Sequence, residues 1–223
     1  MGSGRAPGRR DVDRLCQAVR RIKQEVDIEI CTSFGFLTES AAAALKDAGV
    51  NRYNHNLNAS EHYYDKICST HTYQDRVETL RIAKRAGMEL CCGALFGMGE
   101  SDADVIDLCL ALREVGPDSI PVNFLHPIPG TTLGHREPLS PMRCLLLLCL
   151  MRLVNPSAEI RAAGGREFCL RSLQPLALYP ANSLFVSGYL TTSGQRPDEA
   201  WQMIEDMGFE IEQEVNEEAG VTL

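Results

Sequence analysis

The chain has 223 residues, 44% of them hydrophobic, and a formal net charge of −8, which suits one large or two small domains with a real core. The acidic balance and the lack of a Lys/Arg run argue against nucleic-acid binding and against a membrane-surface helix. No apolar stretch reaches transmembrane length, and the basic first ten residues lack the apolar core of a signal peptide. We therefore expect a cytoplasmic protein without nucleic-acid or membrane partners.

Predicted strands and helices alternate along the chain after a first helix at residues 10–26. The predicted strands are 28–33, 52–57, 89–96, 119–125, 159–163 and 183–187. The predicted helices between and after them are 39–47, 73–85, 103–115, 141–153, 167–179 and 197–207. This alternation indicates an α/β fold with a parallel sheet and right-handed crossovers. We predict one domain over residues 1–209 and a loosely ordered acidic tail over residues 210–223.

The number of strands leaves two architectures open. A closed (β/α)8 barrel needs eight strands, so the predicted strands fit either an open doubly wound sheet or a barrel without its first two strands. Polar residues near the ends of the strands favour the barrel, because barrel active sites form at the carboxyl ends of the strands. A ligand in the barrel would also satisfy these groups, each of which costs about 1–3 kcal/mol if buried unpaired. They are Cys31, Asn54, Asn56, Asn58, Cys91 or Cys92, Asn123 and Arg161.

The nine cysteines include no C-x-x-C pair, and without an export signal we expect them to be thiols. Four lie among leucines and valines of predicted helices and are interpreted as small core residues: Cys16, Cys109, Cys144 and Cys149. Cys91 and Cys92 are adjacent on a predicted strand, so only one of them can face a given site.

An ordered set of motifs resembles the biotin synthase family. The motifs are YNHNLN at 53–58, TYQDR at 72–76, GMGE at 97–100, IPVNFL at 120–125 and RAAGGRE at 161–167, followed by ANS at 181–183 and LTT at 190–192. The resemblance extends from about Ser3 to about Glu212. It implies a (β/α)8 TIM-type barrel and a radical S-adenosylmethionine enzyme that inserts sulfur into dethiobiotin. In that family a [4Fe–4S] cluster cleaves the cofactor and a [2Fe–2S] cluster donates the sulfur.

The resemblance also assigns residues, position by position. It makes Cys31, Cys91 and Arg161 three of the four ligands of the [2Fe–2S] cluster, while Cys92 falls where relatives carry a small residue. For S-adenosylmethionine it implies contacts from Asn56, Asn58 and Arg76, with Arg76 at the methionine carboxylate. For dethiobiotin it implies contacts from Asn56, Asn123 and Thr191. It further implies a reduced flavodoxin or ferredoxin as electron donor and a homodimer.

One departure from the family concerns the radical-generating cluster. The C-x-x-x-C-x-x-C motif that binds the [4Fe–4S] cluster is absent, and no cysteine precedes Cys16 to supply the fourth [2Fe–2S] ligand. We therefore expect an N-terminally truncated biotin synthase, a barrel lacking its first two strands, that is inactive alone, has exposed edge strands and is poorly soluble. Two alternatives stay open. One is a non-catalytic protein that binds dethiobiotin or S-adenosylmethionine, and the other is a zinc or redox module on Cys31, Cys91 and Cys92.

Overall fold

Helices and strands alternate along the chain in the computed structural model, which describes residues 6–187 and 194–212. The helices are α1 Arg9–Glu25, α2 Glu39–Asp47, α3 Glu61–Tyr64, α4 Tyr73–Arg85, α5 Asp102–Val115, α6 Pro141–Val154, α7 Arg166–Leu170 and α8 Pro197–Asp206. A 3-10 helix covers Arg171–Leu178. The strands are β1 Cys31–Thr32, β2 Arg52–Asn54, β3 Glu89–Cys91, β4 Ala94–Phe96, β5 Ser119–Phe124, β6 Glu159–Ala162 and β7 Ser183–Leu184.

All strands of the described residues belong to one parallel sheet. Its order is β1-β2-β3-β5-β6-β7, and β4 pairs with β5 beside β3. The predicted α/β fold with parallel strand-helix units is therefore confirmed. Within residues 6–187 and 194–212 the hydrogen-bonded path runs from β1 to β7 without closing, so both of these strands are edges.

Side chains alternate between the two faces of the sheet. Tyr53, Leu90, Ile120 and Ile160 are all almost completely buried in the hydrophobic core that the sheet forms with the helices. Their strand neighbours point to the opposite, concave face, which we call the lumen. The register places two rows of residues on this face: Cys31, Arg52 and Glu89 in one, and Pro121, Arg161 and Ser183 in the other.

Local capping explains why several helices begin where the sequence predicts. Thr72 and Asp75 form a reciprocal capping box at the start of α4, and Ser101 and Asp104 form another at the start of α5. The hydroxyl of Thr38 accepts a hydrogen bond from the amide of Ala41 at the start of α2. The predicted ranges 39–47 and 73–85 agree with α2 and α4 at both ends.

The predicted strand at 89–96 is wrong as a continuous element, because it breaks at Cys92 and Gly93 into β3 and β4. A Cβ atom on Gly93 would lie 2.0 Å from the carbonyl oxygen of Pro121. The backbone therefore runs against β5 too closely for a regular strand with side chains at this point. The predicted strands 28–33 and 52–57 are also shorter in the structure, at Cys31–Thr32 and Arg52–Asn54.

The predicted helix at 167–179 is wrong as a single helix, because α7 is followed directly by the 3-10 helix. Arg171 at their junction has φ 50° and ψ −123°, and Pro175 has no amide hydrogen to donate within a helix. The predicted elements do not include helix α3, a single turn in which the hydroxyl of Ser60 accepts the amide hydrogen of Tyr63.

None of the helices in the part of the chain that the structure describes is both long and apolar enough to cross a bilayer. The division into a domain to residue 209 and a tail from residue 210 stays a prediction, since the structure describes only the first residues of that tail.

Candidate functional site

Cys31 and Cys91, two of the predicted cluster ligands, lie on the lumen face of β1 and β3, on either side of β2. Cys31 as a residue is exposed, but the groups around its thiol desolvate it, and together with Cys91 they raise the pKa of the Cys31 thiol to about 11. The charges of Arg52 and Arg161 act in the opposite direction. The fold thus brings Cys91 and Arg161 close enough to Cys31 to interact with its thiol electrostatically.

The two adjacent cysteines differ in their surroundings. The side-chain Nδ2 of Asn54 donates a hydrogen bond to Cys91 Sγ at 3.1 Å. Cys92 is completely buried in the hydrophobic core, and this burial raises the pKa of its thiol to about 12. Cys91 is therefore the thiol available to the lumen, and Cys92 is a core residue.

Arg161 has its guanidinium held by three neighbours. Its Nε lies 3.0 Å from Glu159 Oε1 and 2.9 Å from Ser183 Oγ, and its Nη2 also pairs with Glu159. The guanidinium carbon lies 5.4 Å from the ring centroid of Phe185. The other carboxylate oxygen of Glu159 lies 3.8 Å from Arg52 Nη1.

Arg52, Glu159 and Ser183 were not predicted as site residues. A signal for the first two exists in the sequence, because Arg52 is two residues before Asn54 and Glu159 is two residues before Arg161. Period-two alternation places such neighbours on the same face of a strand. Ser119, which pairs in register with Cys91, has a fully buried hydroxyl without a hydrogen-bond partner among the described residues.

Asn56 and Arg76 meet beyond the carboxyl end of β2. Arg76 Nη1 donates to the backbone carbonyl of Asn56 at 2.8 Å, and its Nε contacts the hydroxyl of Tyr64. Asn56 Oδ1 accepts the amide hydrogen of Gly93 at 2.9 Å. Within the described residues nothing accepts a hydrogen bond from the Nδ2 group of Asn56, so this group can donate to a ligand.

Asn58 and Asn123 lie near the same end of the sheet. Asn58 forms an isolated bridge with Ala94 and has φ 67°. The regular strand ends at Asn54, so Asn58 lies beyond it, where the chain turns into the left-handed region. Asn123 is buried, donates through Nδ2 to the carbonyl of Ala94 at 3.1 Å and accepts from the amide of Gly164 at 3.0 Å.

Thr191, the remaining predicted substrate contact, lies outside the described residues. His55 is buried, with its Nε2 unpaired among the described residues. Burial, followed by the charges of Arg76 and His71, lowers the pKa of His55 to about 3, so its ring is neutral at physiological pH.

The donor set of the lumen fits one of the two clusters that the family resemblance implies. The lumen face presents two thiols and a guanidinium, which fit three of the four [2Fe–2S] ligand positions that the family resemblance implies. A [4Fe–4S] cluster does not fit these 223 residues, since no C-x-x-x-C-x-x-C spacing is present. The described residues also contain no cluster of three or more His, Cys, Asp or Glu side chains suited to a metal, and Cys92 faces the core, so a three-thiol zinc site has no support.

Comparison with known proteins places this chain in a family. Residues 1–112 match the radical SAM superfamily, and residues 121–210 match the biotin and thiamin synthesis associated domain. The chain is 53% identical to biotin synthase of Staphylococcus haemolyticus over 94% of its own length and 66% of that protein. It is 51% identical to biotin synthase of Macrococcus caseolyticus over 97% of its own length and 67% of that protein.

Solved structures agree in fold at low sequence identity. Methylornithine synthase superposes with a TM-score of 0.76 at 21% identity, over 92% of this chain and 65% of that one. The FeFe-hydrogenase maturase HydG from Carboxydothermus hydrogenoformans superposes with a TM-score of 0.73 at 18% identity, over 92% of this chain and 53% of that one. The chain spans about two thirds of the length of the curated relatives it matches. By sequence identity over almost all of its length, this chain belongs to the biotin synthase family of the radical SAM superfamily.

Proposed function

We propose that the lumen serves the biotin synthase reaction, in which sulfur is inserted into dethiobiotin. The observation that carries the proposal is the meeting of Cys31, Cys91 and Arg161 on one face of the sheet, with the amides of Asn56 and Asn123 further toward the strand ends. When bound, a [2Fe–2S] cluster supplies the sulfur, and S-adenosylmethionine with a [4Fe–4S] cluster supplies the one-electron chemistry. Membership of the biotin synthase family supports this assignment.

The polar groups near the strand ends bind and orient the ligands in this proposal. The free Nδ2 group of Asn56 and the remaining Nδ2 hydrogen of Asn123 donate to the ureido carbonyl of dethiobiotin, with Thr191 as a further contact. Arg76 binds the carboxylate of S-adenosylmethionine, since a guanidinium fork matches a carboxylate. Asn58 contacts the same cofactor.

Partners follow from the family rather than from contacts of this chain. We propose a reduced flavodoxin or ferredoxin as electron donor and a homodimer as the assembled form. The cytoplasm is the proposed compartment, supported by the nine free cysteines, which a reducing compartment maintains as thiols.

The 223-residue polypeptide by itself is proposed to bind ligands without turnover, because it contains no ligand set for the [4Fe–4S] cluster. The test is anaerobic reconstitution with iron and sulfide, followed by assays for 5′-deoxyadenosine and biotin and by calorimetric titration with dethiobiotin. Binding of dethiobiotin without either product is the expected result. Formation of biotin by the isolated chain would contradict its proposed inactivity. A chain that fails to bind iron and sulfide, or that fails to bind dethiobiotin, would contradict the proposed function.

A non-catalytic binding protein is the second candidate. It is favoured by the amide groups of Asn56 and Asn123, which are held in place by backbone hydrogen bonds without any iron. Titration of dethiobiotin into the iron-free chain separates the two candidates. Equal affinity with and without iron and sulfide favours the binding protein, and a clear gain on loading favours the enzyme site.

A further inference from the structure

An ion pair links two strands that are not neighbours in the sheet. Arg52 on β2 and Glu159 on β6 approach to 3.8 Å between Nη1 and Oε2, although β3 and β5 lie between these strands. The contact therefore crosses the lumen. Arg52 also pairs with Glu89. Its Nη2 lies 2.6 Å and its Nε 2.9 Å from Glu89 Oε2.

The same carboxylate holds Arg161. Glu159 Oε1 accepts from Nε and Nη2 of Arg161, and Ser183 Oγ lies 2.9 Å from that Nε. These contacts occupy one edge of the guanidinium. Nη1 of Arg161 makes no hydrogen bond to any residue of the described ranges, so it is the nitrogen available to a lumen ligand.

The exposure of these side chains distinguishes the network from an ordinary surface ion pair. Arg52 and Arg161 each expose 22% of the side chain and Glu159 exposes 27%. Pairs of fully solvated charges contribute little and hold no fixed geometry. A guanidinium bonded along one edge has a defined plane, because its donors form a rigid fork.

We propose that Arg52 and Glu159 are positioning residues that hold the guanidinium of Arg161 with Nη1 directed to the cluster side of the lumen, toward Cys31 and Cys91. The proposal rests on the iron-sulfur role proposed for these three residues. It adds two residues that the family resemblance did not assign, and it specifies what each does. Glu159 orients Arg161, and Arg52 orients Glu159.

The first arm of the test needs no iron. The iron-free chain is treated with phenylglyoxal, which reacts with the Nη nitrogens of arginine, and the labelling of Arg161 is measured by peptide mass spectrometry relative to exposed Arg14. Glu159→Gln removes the charge that holds Nη2, so Arg161 is expected to react roughly tenfold faster, as for loss of a charge-assisted hydrogen bond. Arg52→Gln is expected to give a smaller increase. Glu78→Gln, which removes a carboxylate paired with Arg85 outside the lumen, is the matched control and is expected to react like the wild type.

The second arm uses the chain loaded with iron and sulfide. Loss of iron to a chelator is followed by the decay of visible absorbance, and Glu159→Gln is expected to release iron roughly tenfold faster, since partners of metal ligands commonly contribute that much affinity. Glu159→Asp keeps the carboxylate on a shorter side chain and is expected to lie between the wild type and Glu159→Gln. Glu78→Gln is expected to match the wild type.

The outcomes separate this proposal from the proposed function. If Arg161 is labelled at the same rate in Glu159→Gln as in Glu78→Gln, the positioning role is overturned, whatever the iron content of the chain. Failure of the wild type to take up iron and sulfide contradicts the proposed function, and the labelling arm then still decides the positioning role. If Glu159→Gln does not fold, Glu159→Asp and Arg52→Gln carry the test, and unchanged Arg161 labelling in both overturns the proposal.

Discussion

The side chain of Asn54 donates a hydrogen bond to Cys91 Sγ at 3.1 Å, and the same two residues are paired in register between β2 and β3. Cys92, the next residue, has no such contact with the lumen and is enclosed by the hydrophobic core. The two adjacent thiols therefore have different surroundings, and substitutions should separate their roles.

Replacing each cysteine by alanine tests this difference. Cys91→Ala is expected to lose the iron that the wild type retains after anaerobic loading, because it removes a lumen thiol. Cys92→Ala is expected to retain the iron and to lose about 1 kcal/mol of unfolding free energy, because it leaves a small cavity in the core. Iron analysis and urea unfolding measure the two effects. Equal iron loss in both variants would contradict the assignment of Cys91 to the lumen.

Gly93→Ala tests the close approach of the backbone at the break between β3 and β4. An added Cβ would lie 2.0 Å from the carbonyl oxygen of Pro121, so β5 must shift. We expect a loss of about 3 kcal/mol in the free energy of unfolding, at the upper end of overpacking effects. Gly8→Ala is the control, because its Cβ meets only Asp11 Oδ2 at 3.5 Å, and urea unfolding of both variants gives the comparison. Similar stability of the two variants would contradict the steric explanation.

Arg76→Lys tests the proposed cofactor contact. Lysine keeps the positive charge but loses the fork that contacts Tyr64 and the carbonyl of Asn56. The dissociation constant for S-adenosylmethionine, measured by calorimetry, is expected to rise roughly tenfold or more. Arg81→Lys, at an exposed position on the same helix, is expected to leave it unchanged. An unaltered affinity in Arg76→Lys would remove Arg76 from the cofactor site.

Asp104 makes stability dependent on pH. Hydrogen bonds from Ser101, His62 and Ser60 hold the pKa of the folded carboxyl well below its usual value near 3.8. Because the folded pKa is depressed, the stabilisation is present above the unfolded pKa and is lost as the pH falls through and below that value. Asp104→Asn should therefore lower the urea midpoint at pH 7, and the difference from the wild type should shrink at about pH 3.

Asp107→Asn, at an exposed position of the same helix, is the control for this prediction. It removes a carboxylate from α5 without disturbing the capping box of Ser101 and Asp104. A difference between wild type and Asp104→Asn that stayed constant from pH 7 to pH 3 would show that the carboxylate charge is not the source of the stabilisation.

The sequence by itself determined the parts of this protein that depend on neighbouring residues. Helices α2 and α4 begin where predicted, because their N-caps join residues only three positions apart. Strand alternation placed Cys91 and Cys92 on opposite faces, and the ordered motifs indicated the family that the comparisons then showed. The α/β fold class could be predicted from the recurrence of apolar strand patterns and amphipathic helix patterns along the chain.

The tertiary structure decided the features that join residues distant in sequence. The break at Gly93 depends on Pro121, a residue of another strand, and α7 and the 3-10 helix replace a helix that local periodicity predicted as continuous. The contact of Glu159 on β6 with Arg52 on β2 arises because the curved sheet turns these two strands toward one lumen. Spacing along the chain indicates which residues of one strand share a face. It does not indicate which strands meet across the lumen, because the curvature of the sheet sets that distance.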